Sequence, residues 1–305
     1  WTHGTSGKVQ NGREHCVSSD KVVQYELLYE REPSSCYCGC ERKGIIMRLG
    51  CDPEIFLKDA AGGLVASCGL IGGTKEAPRP LPIGAGYAVQ EDNVAIEFNT
   101  PPASSSDEFV NHINTAMTYL RNEIAGQGLV FGTESAALFP KHQLMHPAAL
   151  VFGCDPDYNA WTRQTNPRPK AEDETLRSAG GHIHIGDIGD LSPDDMVLII
   201  KLMDLYAGVP SVLMDNGIMR KELYGKRGAF RPKPYGIEYR TLSNFWVFES
   251  RLVDWAWKAT SLAVDAWHNK NINPDEEDGA ILDAIDNNNQ NAAKYLINKY
   301  NLMVV

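Results

Sequence analysis

Several absences narrow the sequence before any motif does. Across 305 residues no stretch of about 18 apolar residues runs uninterrupted, so a spanning helix and a membrane role are not expected. The richest run, Met196 to Met214, is broken by Lys201 and Asp204. Positive charge is in the minority: 29 Lys and Arg stand against 39 Asp and Glu, a formal net charge of −10 with His neutral. Such a surface does not attract a polyphosphate backbone as a whole, so nucleic-acid binding is not expected either. The polar start Trp1-Thr2-His3-Gly4 lacks an apolar leader core, which points away from secretion and towards the cytoplasm. Disordered and fibrous classes are excluded by ordinary globular composition, 43% hydrophobic and 22% charged. The chain has no internal repeat and no regular βαβ rhythm.

The seven cysteines lack the usual Cys-x₂-Cys knuckle spacing of a zinc site. Cys16, Cys36, Cys38 and Cys40 are nonetheless close enough in sequence to form a Cys₄ structural zinc site, with His15 able to replace one ligand. The other reading is a set of reduced thiols in a loop. Cys51, Cys68 and Cys154 sit in apolar contexts and read as small core residues. Residues 1–43 differ in composition from the rest of the chain, and we assign them to a Cys-containing extension, with one catalytic-type domain over 44–305.

Within that domain the pattern is mixed. Ile45 to Leu57 reads as a strand pair or one long strand, and Gly62-Gly63 as a hairpin turn. The Gly69–Lys75 loop lacks the spacing of a phosphate-binding Walker loop and reads as a permissive turn, with Lys75 within reach of an anion. Tyr87 to Asn99 is a hairpin turning near Asp92-Asn93. Ser106 is the expected cap of a helix whose buried stripe is Phe109, Ile113, Met117, Leu120 and Ile124. Residues 153–178 read as polar loop. Ser192-Pro193-Asp194-Asp195 starts a helix to about Ala207, and Pro210 begins another segment. Met219 to Pro234 reads as a basic loop before a strand at Gly236–Trp246, and helices are expected at about 248–268 and 275–300. Trp255, Trp257 and Trp267 on the first of these read as core or interface residues. The expected class is α+β: a curved antiparallel sheet with helices on its outer face.

Four segments alternate polar and apolar residues, so that each strand has one buried and one polar face. They present Asp52 and Glu54, then Glu97 and Asn99, then His182 and His184, and finally Glu238 and Arg240. A solitary strand carboxylate is usually solvated, and an alternating His pair is more often structural than catalytic. Four such faces brought together in one sheet would line a trough with carboxylates, which repel one another unless cations sit between them. Hard divalent ions with oxygen ligands meet that need, and Mg²⁺ leaves room for phosphate oxygens and water. Arg220, Lys221, Lys226, Arg227, Arg231 and Lys233 precede the last strand. They read either as a solvated loop or as a clamp on phosphate.

The ordered set Gly50-Cys-Asp52-Pro-Glu54-Ile-Phe, Asp92-Asn-Val-Ala-Ile-Glu97-Phe-Asn-Thr-Pro-Pro, Gly180-Gly-His182-Ile-His184-Ile-Gly and Tyr235-Gly-Ile-Glu238-Tyr-Arg240 resembles the phage-type carboxylate–amine ligases (amidoligases) of the glutamine-synthetase-like superfamily. More distantly it resembles the glutamate–cysteine ligase branch. The resemblance covers about residues 44–250. It implies a glutamine-synthetase-like catalytic domain and a funnel-shaped site for ATP, Mg²⁺ or Mn²⁺, and small-molecule or peptide carboxylate and amine substrates. It further implies Asp52, Glu54, Glu97, His184 and Glu238 as metal ligands. His182 and His184 fall beside ATP, and Arg240, Arg231 and Arg227 on the transferred phosphate; apart from the resemblance, Arg220 of the basic segment and Lys75 of the glycine-rich loop are further candidates for ATP contact. Asp52 stands where many relatives have Glu; being shorter, it binds through water or only shapes the strand. The implied activity joins a carboxylate to an amine through an acyl phosphate, in the host cytoplasm if the chain is phage-encoded, with a homo-oligomer compatible. Alternatives are a phosphotransferase on the same fold, a hydrolase or oxygenase using His182, His184 and Glu97, and a non-catalytic virion or scaffold protein.

Overall fold

A computed structural model describes residues 47–150 and 157–305. The extension with Cys16, Cys36, Cys38 and Cys40 lies outside the described residues, as does Cys154. The stretch expected as a strand pair over Ile45–Leu57 is cut into three short strands, Arg48–Cys51, Glu54–Ile55 and Leu57–Asp59. Each joins a different sheet. Pro53 follows Asp52 in the first gap, where a residue without a backbone N–H cannot continue a ladder.

The larger sheet has six antiparallel strands in the order Arg48–Cys51, Ile183–Gly186, Gly236–Tyr239, Ala229–Lys233, Tyr158–Asn159 and Gln164–Thr165. A second sheet of four antiparallel strands runs Glu54–Ile55, Ala95–Asn99, Ala88–Asp92 and Arg79–Pro80. The polar strand faces therefore come from two sheets, where the sequence reading had placed them in one. Residues 153–178 and 219–234, read as loops, contribute three strands of the larger sheet. A proline such as Pro232 is unfavourable inside a sheet. It is tolerated because the flanking strand Tyr158–Asn159 pairs with Ala229 and Phe230 and ends short of it.

Alternation along the strands separates two faces. Leu49, Cys51, Ile183, Ile185, Phe230, Ile237 and Tyr239 are buried in the main hydrophobic cluster together with Phe109, Ile200, Trp246 and Trp255. The fold is thus α+β, with antiparallel sheets packed on helices. Helix Ser106–Ala125 buries the predicted stripe, but its cap is Ser105, which accepts from Glu108 N at 3.2 Å. Ser106 Oγ instead donates to Asp254 Oδ1 at 2.6 Å. Helix Pro193–Met203 starts with a capping box between Ser192 and Asp195. It passes through a π-helical turn, Asp204–Gly208, into Val209–Met214. Among the described residues, Pro193–Met214 is the one helical span long and apolar enough to cross a bilayer, yet 72% of its apolar window is buried inside the protein. Lys201 within it binds Asp275 at 2.5 Å. Trp255 is fully buried and donates to Met303 O, as expected of a core residue. Helices Ser250–Asn269, Asp278–Ile285 and Gln290–Tyr300 complete the C-terminal part.

Candidate active site

Cross-strand register builds the first half of the site. Gly50 pairs with His184, His184 with Glu238, and Glu238 with Arg231, so the side chains of the last three form one lateral row. Asp52, just past the end of its strand, completes the group. Its Oδ1 lies 3.1 Å from His182 Nδ1 and its Oδ2 3.1 Å from His184 Nε2. Glu238 is fully buried and ringed by cations. Arg240 contacts its Oε1 closely, Lys233 Nζ sits 2.6 Å from Oε2, and Arg231 Nη1 lies 3.6 Å from Oε1. Arg240 is braced in turn by Asp157 at 3.3 Å.

The second sheet builds the other half. Glu54 pairs with Glu97, and Glu97 with Gln90. Asp92, two residues from Gln90, faces the same way. Gln90 Nε2 donates to Glu97 Oε2 at 3.0 Å and Gly180 N to Glu54 Oε2 at 2.7 Å. The glycine pair makes this approach feasible. A Cβ at Gly180 would come 2.4 Å from His182 Nε2, and one at Gly181 2.3 Å from Ser243 O. Two groups of three donors result, Asp52 with His184 and Glu238, and Glu54 with Asp92 and Glu97. Within each group the ligand atoms all lie within 4.8 Å of one another.

The two groups differ electrostatically. Burial and the neighbouring Asp52, Asp92 and Glu54 charges raise the Glu97 carboxyl well above the usual range. Burial and Asp92 push Glu54 up to about 7, against the opposing pull of Gly180 N–H, Arg240 and Arg220. Burial raises Asp92 as well. On the other side, burial and Asp52 push Glu238 upward, but Arg240, His184 and His182 outweigh them and hold it near 2. His184 and His182 likewise overcome burial and keep Asp52 well below the carboxylate range. Burial and Arg240 lower His182 to about 4, so that it is neutral, whereas His184 is raised by Asp52 against the effect of burial.

The structure thus gathers Asp52, Glu54, Glu97, His182, His184, Arg231, Glu238 and Arg240. Arg220 is buried beneath the group and donates to the carbonyls of Thr241 and Arg240 at 2.9 and 3.3 Å. With Glu54, Asp92, His182, Tyr224 and Arg240 it lines a cavity beside the acidic group. Lys75 is exposed, and its charge acts on Asp92. Arg227 is engaged elsewhere: it lies 4.5 Å over the Trp161 ring and bonds Asp278. The glycine-rich loop before Lys75 is occupied by a side chain of the protein itself, because Gly69, Ile71 and Gly72 donate their N–H groups to Glu91. His182, His184 and Glu97 do not form a common three-ligand set. Among the described residues, the candidate groups place His184 apart from Glu97 and leave His182 in neither.

Two residues are not among the candidates that the sequence alone offers, and a third changes its setting. Asp92 reads as a turn residue, although the Gln90–Asp92 alternation marks its face. Lys233, a phosphate-clamp candidate read on a loop, lies at the end of strand Ala229–Lys233 beside Glu238. Asp204 reads only as a break in an apolar run. It is fully buried and accepts from Gly228 N at 2.6 Å, Trp161 Nε1 at 2.7 Å, Tyr239 OH at 2.8 Å and Thr241 Oγ1 at 3.2 Å. Burial pushes it up to about 7 despite those donors. Tyr239 and Thr241 alternate with Glu238 and Arg240, so this carboxyl fixes the back of the strand whose front forms the site.

Part of the chain is similar to a known family. Residues 175–294 match the model of a family described as "Phage phiEco32-like COOH.NH2 ligase-type 2". That segment carries His182, His184, Arg231, Glu238 and Arg240. The chain resembles a carboxylate–amine ligase. No curated protein matches the sequence. A solved structure described as a "novel glutamine synthase homolog" aligns with probability 0.98, TM-score 0.32 and 11% identity. The alignment covers 84% of this chain and 66% of that one. The likeness is slight and decides nothing by itself.

Proposed function

We propose that the protein is an ATP-dependent carboxylate–amine ligase that forms an amide or isopeptide bond through an acyl phosphate. The observation that carries this reading is the pair of adjacent donor groups, Asp52–His184–Glu238 and Glu54–Asp92–Glu97, flanked by Arg231, Lys233 and Arg240. The residues fit a pair of hard divalent ions. Five of the six donors are carboxylates, the type Mg²⁺ or Mn²⁺ prefers. Glu97 and Glu54 are raised by burial and then by neighbouring carboxylates, a cost that cations or protons relieve. Divalent ions bound there would neutralise charge on the phosphate oxygens and make the phosphorus a better electrophile.

The chain's own groups divide the remaining work. Arg231, Lys233 and Arg240 stand on one edge of the paired groups, where they can hold the oxygens of a phosphoryl group in transfer. Asp157 and Glu238 fix the Arg240 guanidinium, which limits the reorganisation needed as charge develops. His182, neutral and wedged between Asp52 and Arg240, orients both. In the first step a carboxylate oxygen of the acid substrate bonds to the γ-phosphorus of ATP and ADP leaves. In the second an amine nitrogen bonds to the acyl carbon, phosphate leaves, and the amine proton goes to solvent or base. Both substrates are small-molecule or peptide groups.

A screen for ADP release with Mg²⁺ and ATP over pools of acids and amines tests the assignment. The expected result is release that requires both an acid and an amine and yields an amide. Glu97→Gln and Glu238→Gln should abolish it without unfolding the chain. ADP release that needs no amine, with a phosphorylated acceptor as product, would favour a phosphotransferase instead.

A further inference from the structure

One polar contact at the edge of the site has no part in the proposed chemistry. Tyr235 sits in the turn between strands Ala229–Lys233 and Gly236–Tyr239. Its hydroxyl lies 2.6 Å from His184 Nδ1. The two rings are stacked, with centroids 5.9 Å apart and planes 17° from parallel. The turn reaches this position because the chain is pared down beneath it. Gly236 has φ 151°, and a Cβ there would come 2.0 Å from Ile185 O. Its cross-strand partner is Gly186. Two facing glycines let the turn lie flat on the His184 strand and set the Tyr235 ring over the imidazole. Tyr235 itself is 46% exposed, so the core does not depend on it.

The two nitrogens of His184 therefore meet different partners. Nε2 lies 3.1 Å from Asp52 Oδ2 and belongs to the donor group, while Nδ1 meets the Tyr235 hydroxyl. An imidazole binds a metal through an unprotonated nitrogen, and the hydrogen bond at the other nitrogen selects which one that is. We infer that Tyr235 is a positioning residue: its hydroxyl accepts the Nδ1 proton of His184 and so presents the Nε2 lone pair to the ion held with Asp52 and Glu238. This rests on the proposed two-ion site and adds to it the partner that fixes the tautomer. The Glu54–Asp92–Glu97 group contains no imidazole, so Tyr235 should leave it untouched.

Mn²⁺ titration of the full chain, read by the signal of the free ion, separates the two groups. Tyr235→Phe keeps the ring and removes the hydroxyl. It is expected to weaken one class of Mn²⁺ site roughly 10–100-fold, the usual cost of losing an outer-shell partner, and to leave the other class and the thermal midpoint of the metal-free chain unchanged. Asp92→Asn should do the converse. With Mg²⁺ bound and histidine labelled with ¹⁵N, the wild-type His184 signal should report a proton on Nδ1, and this preference should be lost in Tyr235→Phe. Equal Mn²⁺ affinity of both classes in wild type and Tyr235→Phe, or a proton on Nε2 of the wild type, overturns the inference while leaving the ligase reading intact. Absence of any Mn²⁺ binding by wild type overturns both.

Discussion

The two donor groups are built from similar side chains and behave oppositely. In the Asp52–His184–Glu238 group, carboxylates are interleaved with imidazoles, arginines and a lysine, and they stay ionised. In the Glu54–Asp92–Glu97 group, burial and neighbouring carboxylates outweigh the Gln90 amide, the Gly180 N–H and the pull of Arg240, and the carboxyls are raised above their usual range. Neither arrangement is a property of the carboxylates themselves. The first is balanced by the protein and is preformed; the second is left unbalanced and, under the proposed two-ion reading, would acquire its charge when a cation displaced the protons. The proposed ligase, which would admit ions together with a polyanionic substrate, has use for both kinds.

The largest effect expected from this contrast is the loss of turnover in Glu97→Gln and Glu238→Gln, at least about 10²–10³-fold in each, as for removal of a main electrostatic partner of the transition state. The two variants should then part company in the metal-free protein. Glu238→Gln strands Arg240 and Lys233 against a buried neutral amide and should destabilise by about 3 kcal/mol. Glu97→Gln removes a repelling partner and should raise the thermal midpoint or leave it unchanged. Equal destabilisation by both in denaturant titrations would break the contrast.

The next effect is a pH slope. Glu97 and Glu54 hold protons in the folded metal-free chain at pH values where the unfolded chain has released them. The folded state then binds more protons, so stability falls as pH rises from the ordinary carboxylate range through about 7. Asp204 adds a slope of the same sign, so the diagnostic is the difference between variants: Glu97→Gln should flatten the slope and Glu238→Gln should not. The stabilisation tied to Glu238 is complete above the unfolded carboxylate pKa and is lost only as pH falls towards 2. Addition of Mg²⁺ at pH 7 should release protons into weakly buffered solution and remove the Glu97-dependent part of the slope.

A smaller effect is expected of Lys233→Ala, which removes the 2.6 Å ion contact to Glu238. It should lower stability, because a buried carboxylate loses one of its ion-pair partners, and weaken the use of ATP. Smallest is Ser192→Ala, which removes the capping box of helix Pro193–Met203. It should cost about 1 kcal/mol and leave Mn²⁺ binding by both groups unchanged, showing that modest loss of stability alone does not disturb them.

The period-2 alternation was the legible part of the site. It placed Glu54, Glu97, His184 and Glu238 on polar faces before any coordinates, because strand geometry leaves a residue only two sides to choose from. It could not show that two sheets share the task, since the break at Asp52-Pro53 sends consecutive residues to different sheets and pattern alone does not reveal which strands pair. Arg231 and Lys233 were legible as part of a basic cluster but not as strand residues, because Pro232 between them argues against a strand except where a neighbouring strand has ended. Asp92 lay at a hairpin end, where a turn explains an Asp as well as a ligand does. Asp204 is the hardest case: a single carboxyl in an apolar helix reads as an interruption until Gly228, Tyr239 and Thr241 are seen to converge on it. The helices were the easier part, their periodicity and caps being local, with the cap of the first off by one residue.

Anomalous scattering from crystals grown with Mn²⁺ tests the central claim most directly. The account predicts two ions per chain, one bound by Asp52, His184 and Glu238 and one by Glu54, Asp92 and Glu97. Manganese bound only at other positions, or no manganese on these six side chains, would contradict it.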